Sequence, residues 1–324
     1  VTPYHATGAP YGRSWLAPLG LRRALREIGR VDRVHCWSLG ALLNSVLRLR
    51  GIPRLFSVTQ PLPRRRIRLL RSVIHETHAT TTLLAISEAM RRDVITAGID
   101  PQRVDLLRPS LDLSRVTPAR RGSLRQRWGL SDEDRVVVQL ADPSDACSLY
   151  DGIMTTGLAA EARDDRRLWL LTDASHQDLS RLRRLSTALG RPDRVIVDAS
   201  LRTPWQVLPG CDLALAQGPH AGGLSMLWAM AGGVPIVAEA TYRTSEIVED
   251  RHSALLGPPG RLHLLSHRIS RLLDDPALAF RLRDTARQDA FRLFSRQTYC
   301  QGLRERYEQR VEHPDPARAV PAEA

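Results

Sequence analysis

The stretch His220-Ala221-Gly222-Gly223-Leu224-Ser225-Met226-Leu227-Trp228-Ala229-Met230-Ala231-Gly232-Gly233-Val234-Pro235-Ile236-Val237-Ala238 constrains this chain more than any other. Leu224, Leu227, Trp228 and Ala231 fall at helical spacing behind two glycines, so a helix is expected to begin within a residue or two of Ser225. The first turn of such a helix has free backbone N–H groups. They point, with the positive end of the helix dipole, at whatever lies beyond Gly222 and Gly223, and an anionic phosphate is the usual occupant. Gly232-Gly233 ends the helix, and Val234–Val237 reads as a short buried strand fixed at its start by Pro235. The unit is a loop, helix and strand shaped to hold a phosphate.

The rest of the second half alternates in the same way. Helix 122–128, strand 135–140, helix 149–162, strand 168–172, helix 176–189, and strands 194–197 and 212–215 lead into the glycine stretch. This is the βαβ rhythm of a parallel sheet, whose right-handed crossovers put the strand C-termini and the ligand cleft along one edge. Three helices are expected over 260–311, with Leu264, Leu265, Ile269, Leu272 and Leu273 on the buried stripe. The first half is expected to hold a helix at 14–28, strands at 34–37, 54–58, 83–86 and 104–107, a helix at 40–50 and another capped by Ser87.

With 324 residues, 43% of them hydrophobic, the chain is long enough for two domains with their own cores. A net charge of +12 invites a polyanion as partner. However, all 47 basic residues are arginine, and they are scattered through helices beside acids, as in Arg163-Asp164-Asp165-Arg166-Arg167. That pattern reads as solvated helix faces and argues against a nucleic-acid partner. The densest cluster, Arg64, Arg65, Arg66, Arg68 and Arg71, is either an ordinary basic helix face or a contact for anionic lipid headgroups. Cys36, Cys147, Cys211 and Cys300 lie far apart without a CxxC pair, so neither zinc nor a disulfide framework is signalled, and a reducing cytoplasm is expected. No apolar run reaches the ~18 residues of a membrane span, so any membrane association is expected to be peripheral.

The run from Gly223 to Ala238 resembles the signature of the family 4 glycosyltransferases, loosely E-G-F-G-L-x-x-x-E-A-M-A-x-G-x-P-V-V-A. Asp32-Arg33-Val34-His35, Ser87-Glu88-Ala89, Asp112 and Glu246-Ile247-Val248 are similar to further segments of that family. The resemblance implies an α/β protein of GT-B type, with two Rossmann-like domains. The first of these, relative to the family, is short by about two strand–helix units. The expected organisation is a truncated acceptor-type domain over 1–112, a linker at 113–121, a nucleotide-sugar domain over 122–295, a C-terminal helix at 296–311 and a disordered tail at 312–324.

By the same resemblance the ancestral activity is retaining transfer of a sugar from a nucleoside-diphosphate sugar to a glycan or lipid-linked acceptor. No metal or cofactor is expected, the nucleotide sugar being a substrate. Gly222, Gly223, Leu224 and Ser225 would bind the donor phosphates, and His220 and Glu246 are the candidates near the reacting centre. The family's charged positions are altered here. His220 and Trp228 stand at its two glutamates, Asp142 at its arginine, Ser148 or Leu149 at its lysine, and Thr59 or Gln60 where a histidine often follows a strand. Losing both cations costs about 3 to 6 kcal/mol of donor binding, more than a helix dipole worth about 0.3 to 2 kcal/mol restores. A pseudo-glycosyltransferase that binds an active transferase partner is therefore the alternative. His75 and His78 read as surface histidines or as a metal or base pair.

Overall fold

The structure is a computed structural model; it describes residues 31–308 apart from 50, 60–61, 77–80, 116–120, 141–145, 164–167, 173–175, 189–193, 199–202 and 219–220. The expected helix at 14–28 and the tail at 312–324 lie outside the described residues. The chain divides into two compact units, 1–108 together with 301–324, and 109–300. The division falls just before the 113–121 stretch.

In the first unit, β1 (Val34–Cys36), β2 (Arg54–Val58), β3 (Thr81–Ala85) and β4 (Val104–Leu106) form a parallel sheet in sequence order. The helices α1 (Leu39–Arg48), α2 (Arg64–Glu76) and α3 (Glu88–Thr96) alternate with the strands. One core gathers Cys36, Phe56, Val58, Leu83 and Ala85 from the strands with Leu42, Leu70, Val73, Ile74 and Val94 from the helices. Ser38 and Ser87 cap α1 and α3, each accepting a first-turn N–H at 3.2 Å, an interaction worth about 1 kcal/mol apiece. The other end of α1 is closed by an arginine. Arg54 is 2% exposed and donates to the carbonyls of Ser45 and Leu49 in the last turn and to Ile52. A cation there satisfies carbonyls that have no helical partner and faces the negative end of the dipole.

His35 ties the C-terminal segment to this sheet. Its Nδ1 lies 2.7 Å from the Tyr307 hydroxyl, its Nε2 lies 2.8 Å from Ser57 Oγ, and its ring stacks on Trp37 at 4.5 Å. Arg306 adds a hydrogen bond to the Leu106 carbonyl at 2.9 Å and an ion pair with Asp105 at 3.2 Å. Burial pushes the His35 imidazole down to about 4.

The second unit contains α4 (Arg121–Arg127), β5 (Arg135–Gln139), α5 (Ala146–Ala162), β6 (Leu168–Thr172), α6 (His176–Ala188) and β7 (Val195–Val197). These are followed by β8 (Leu213–Ala216), α7 (Leu224–Ala231), β9 (Ile236–Glu239), β10 (Leu255–Gly257), α8 (Leu262–Asp274) and α9 (Pro276–Leu293). The last helix, α10 (Arg296–Glu308), begins here and continues into the first unit. All six strands are parallel, in the order β10-β9-β8-β5-β6-β7.

Strand periodicity assigns the faces. Val136, Val138, Ala214, Ala216, Ile236 and Ala238 pack with α7 and with Ala286 and Ala290 of α9. Val137, Leu213, Leu215 and Val237 pack on the opposite side with α5, α6 and α8. Every residue of α7 from Met226 to Ala231 is buried, as expected of a helix wedged into a core. The stripe expected on α8 needs one correction. Leu265, Ile269 and Leu272 are buried, but Leu264 is 38% exposed, because it precedes that i, i+4, i+7 set by one residue and so points about 100° away.

The edge at which β5 and β8 begin carries a buried ionic cluster. Asp212 accepts the Val136 N–H at 2.8 Å and pairs with Arg121 at 2.6 Å and Arg125 at 3.3 Å. Arg125 is 1% exposed and also donates to the carbonyls of Gly210, Ser131 and Asp134. Truncating it would remove the buried partner of Asp212 and the side-chain donor to three carbonyls. Arg125→Ala is expected to destabilise the protein by about 3 to 5 kcal/mol in urea unfolding. His35 supplies a second test. The unfolded histidine takes up its proton near pH 6.5 and the folded one only near 4, so stability is lost as pH falls through that window. Urea midpoints are expected to fall from pH 7 to 4 in the wild type, and to fall less in His35→Gln.

Candidate functional site at the glycine loop

In the second unit β6 and β7 extend the sheet on one side of β5, while β8, β9 and β10 extend it on the other. The boundary between β5 and β8 is therefore a topological switch point, where chain leaving the two strands diverges and a crevice forms beyond their C-termini. The loop after β8 is the glycine stretch. Below it, two buried amides fasten the strand ends to α5. Gln139 donates to the Ser148 carbonyl, and Gln217 donates to Thr155 Oγ1 at 3.1 Å. A Cβ at Gly152 would come within 2.4 Å of the Gln139 side chain, so the Gln139 amide lies against the bare backbone of Gly152 and would have to shift for any larger residue. Ser148 and Leu149 are each 1% exposed, packed inside this layer.

The glycine loop is open at its helix end, at Gly223 and Leu224. Gly218, Gly222 and Gly223 have φ of 97°, 105° and 73°, a left-handed region that suits glycine. Gly223 is the N-cap of α7 and offers no side chain to the first-turn amides. Gly223 and Leu224 are exposed, Gly222 and Ser225 half-buried, and a Cβ added at Gly223 would meet nothing within 4 Å. Gly222 lies against the turn that follows β9, and a Cβ there would be 3.6 Å from Thr244 Cγ2 and 3.9 Å from the Cβ of Arg243.

The stem of Arg243 thus starts beside the glycine loop. Its Nε donates to the Tyr242 hydroxyl at 3.1 Å and its guanidinium lies 5.6 Å from the centre of that ring. Sequence reasoning did not single it out. No local pattern carries the signal, because Arg243 and Gly222 belong to loops leaving different strands. Glu246 stands half-buried in the same turn.

Glu239, the last residue of β9, is a second acid in this region and is 4% exposed. Its Oε2 accepts the Gly218 N–H and its Oε1 the Gly260 N–H, each at 2.8 Å.

Trp228 is 8% exposed on α7, with its ring centre 4.8 Å from that of Trp205 at 48°. Arg115 lies over Trp205 at 5.4 Å and pairs with Asp112 at 3.2 Å. His220, Asp142 and Gln60 fall outside the described residues, and Thr59 is exposed after β2.

In the first unit, Arg65, Arg66, Arg68 and Arg71 are exposed on α2 together with Leu69, while Leu70, Val73 and Ile74 are buried on its other side. The side chain of Arg64 is outside the described residues, as is His78, whereas His75 is exposed at the last turn of α2. Among the described residues no group of three or more potential metal ligands occurs, and no helix is long and apolar enough to cross a membrane.

An uncapped helix N-terminus, two permissive glycines and one adjacent arginine make an arrangement that can receive an anionic group. Comparison with known proteins bears on which one. The model for Glycosyltransferase Family 4 matches residues 1–115, and that for Glycosyl transferases group 1 matches residues 162–289. The chain is 25% identical over 289 residues to alpha-D-kanosaminyltransferase of Streptomyces kanamyceticus, covering 82% of this chain and 73% of that one. It is 29% identical over 182 residues to D-inositol 3-phosphate glycosyltransferase of Mycobacteroides abscessus, covering 54% and 40%. Among solved structures, a glycosyltransferase from Rickettsia africae superposes with a TM-score of 0.76 at 14% identity, covering 95% and 84%. Anabaena HepE in complex with UDP and glucose gives a TM-score of 0.73 at 19% identity, covering 92% and 83%.

Proposed function

We propose, from the premise that this chain belongs to the family 4-like glycosyltransferases of GT-B fold, that its second unit takes a nucleoside-diphosphate sugar with the diphosphate at the glycine loop. The observation that carries this reading is the conjunction of the open N-terminus of α7 with Arg243 beside Gly222. The amides of Leu224 and Ser225 would meet the phosphate oxygens, Gly222 and Gly223 would let the backbone approach them, and Arg243 would supply the cation. HepE in complex with UDP-glucose, at a TM-score of 0.72, supports the same donor class.

In the transfer, the bond from the sugar's anomeric carbon to the diphosphate breaks and a bond to the acceptor hydroxyl forms with retained configuration. The acceptor's proton leaves with the nucleoside diphosphate. His220 and Glu246 remain the candidates for contacting the sugar. The acceptor is proposed to be a glycan or a lipid-linked molecule, with the nucleotide sugar a substrate and no resident cofactor. The exposed arginines of α2 support peripheral contact with anionic lipid, each contributing roughly 1 kcal/mol near such a surface.

A second reading is favoured by Trp228, Ser148 and Leu149. All three are buried, and none offers a charged group to a nucleotide. On that reading the protein binds a donor or glycan weakly and serves as partner to an active transferase. One arginine is worth about 1.5 to 3 kcal/mol through charge-assisted hydrogen bonds, half of what two altered cationic positions would forfeit.

Calorimetric titration with UDP, GDP and their sugars separates the readings. Micromolar binding with nucleoside diphosphate released in the presence of an acceptor is expected of the enzyme, and binding without release is expected of the partner. No binding at millimolar nucleotide would remove the donor site altogether. Arg243→Ala is expected to weaken nucleotide binding about ten- to a hundredfold. Sedimentation with phosphatidylglycerol vesicles is expected to capture the wild type at low salt, and to lose it when Arg65, Arg66, Arg68 and Arg71 are changed to glutamine.

A further inference from the structure

We infer that Glu239 is a positioning residue that sets the conformation of the glycine loop, and through it the affinity of the second unit for a nucleoside diphosphate. This inference rests on the donor reading above. β9 lies between β8 and β10 in the sheet, so its last residue faces the chain leaving both neighbours. Glu239 uses that placement fully. One carboxylate oxygen holds Gly218, where the glycine loop begins, and the other holds Gly260, in the turn before α8. Its backbone carbonyl accepts the Thr244 hydroxyl and the Thr241 N–H, and Thr244 in turn contacts the position of Gly222. The next residue, Ala240, donates its N–H to Gly257 at 2.7 Å. Three successive strand exits are thereby joined at one side chain and the peptide beside it.

An ordinary core position gives no reason for an acid here. Burying a carboxylate is costly unless its oxygens are hydrogen-bonded, and no arginine or histidine ion-pairs with Glu239 among the described residues. Its visible partners are two backbone amides on glycines with φ of 97° and 70°, conformations that a free loop would leave readily. A neutral amide cannot make the same pair of bonds, because only one of its two polar atoms accepts. The carboxylate is therefore matched to holding two loops at once, and the loop it holds on one side is the one that carries Gly222 and Gly223.

The test uses the full chain, amide exchange and nucleotide titration. In the wild type the Gly218 and Gly260 amides are expected to exchange slowly although both lie outside strands and helices. Glu239→Gln, which keeps the shape but turns one acceptor into a donor, is expected to speed exchange at one of them about tenfold or more and to weaken UDP or GDP binding about tenfold, leaving exchange in β8 unchanged. Glu239→Asp keeps both acceptors on a stem one methylene shorter and is expected to fall between the two.

The inference is overturned if the wild-type amides exchange as freely as an open loop, or if Glu239→Gln leaves both exchange and affinity as they were. Should the variant fail to fold, the wild-type exchange and the aspartate variant decide the matter alone. A wild type that protects both glycines but binds no nucleotide refutes the donor reading and the affinity claim, while the hold on the loop stands.

Discussion

Parallel pairing of β5 with β8 is the constraint from which the rest of the second unit follows. These strands are not neighbours in sequence, so β6 and β7 must be laid on one side of β5 before the chain returns to the other. The return leaves a sheet buried on both faces, which explains why the strands read as nearly continuous apolar runs such as Val136-Val137-Val138 and Leu213-Ala214-Leu215-Ala216. It also fixes which ends of the strands can bind. At the starting edge, Asp212 and Arg125 clamp β5 to β8 through a closed set of ionic and carbonyl partners. At the exit edge glycines replace side chains and the backbone is open. One edge is tied shut by charge, while the other is left free to meet an anion.

The all-arginine basic content takes a different meaning once burial is known. Arg54 and Arg125 are internal struts, each donating to several carbonyls at helix ends and loops. A planar guanidinium with five donors can serve several acceptors from one buried point, which an ammonium on a flexible stem does less well. Net charge therefore overstates how much of this basicity faces outward. The arginines that do face outward are spread along the chain, with four on α2 (Arg65, Arg66, Arg68 and Arg71) and four on α9 (Arg281, Arg283, Arg287 and Arg292), and Arg243 starts beside Gly222.

Much of the fold was legible because its signals are local. Strands at Arg54–Val58 and Leu168–Thr172 carry their apolar runs between clear breaks, Ser87 announces its helix as a cap, and α7 starts where Gly222-Gly223 gives way to an apolar face. What escaped are contacts that sequence spacing does not encode. Arg125 lies in a stretch that reads as an exposed basic helix, and its partners come from the turn at Ser131 and Asp134 together with the return of the chain at Gly210–Asp212. Glu239 reads as the polar residue that ends a strand, since its two glycine partners come from loops on either side of it. Leu264 shows the opposite error, an apolar residue assigned inward although its helical phase points out. At the candidate site, the glycines were evident as glycines, whereas the arginine and the acid around them depend on which loops the sheet order brings together.

The hold that Tyr307 and Arg306 take on His35, Asp105 and Leu106 bears on the order in which the protein is made. Synthesis runs from the amino end, and domains generally fold as they emerge. Here the first unit to leave the ribosome is the last to be completed, because its closing segment, from Gln301 onward, is translated only after the whole second unit. Until then His35 lacks Tyr307 and Asp105 lacks Arg306. The four strands of the nascent first unit are complete before its closing helix exists, and the unit must persist without that helix until α10 is made.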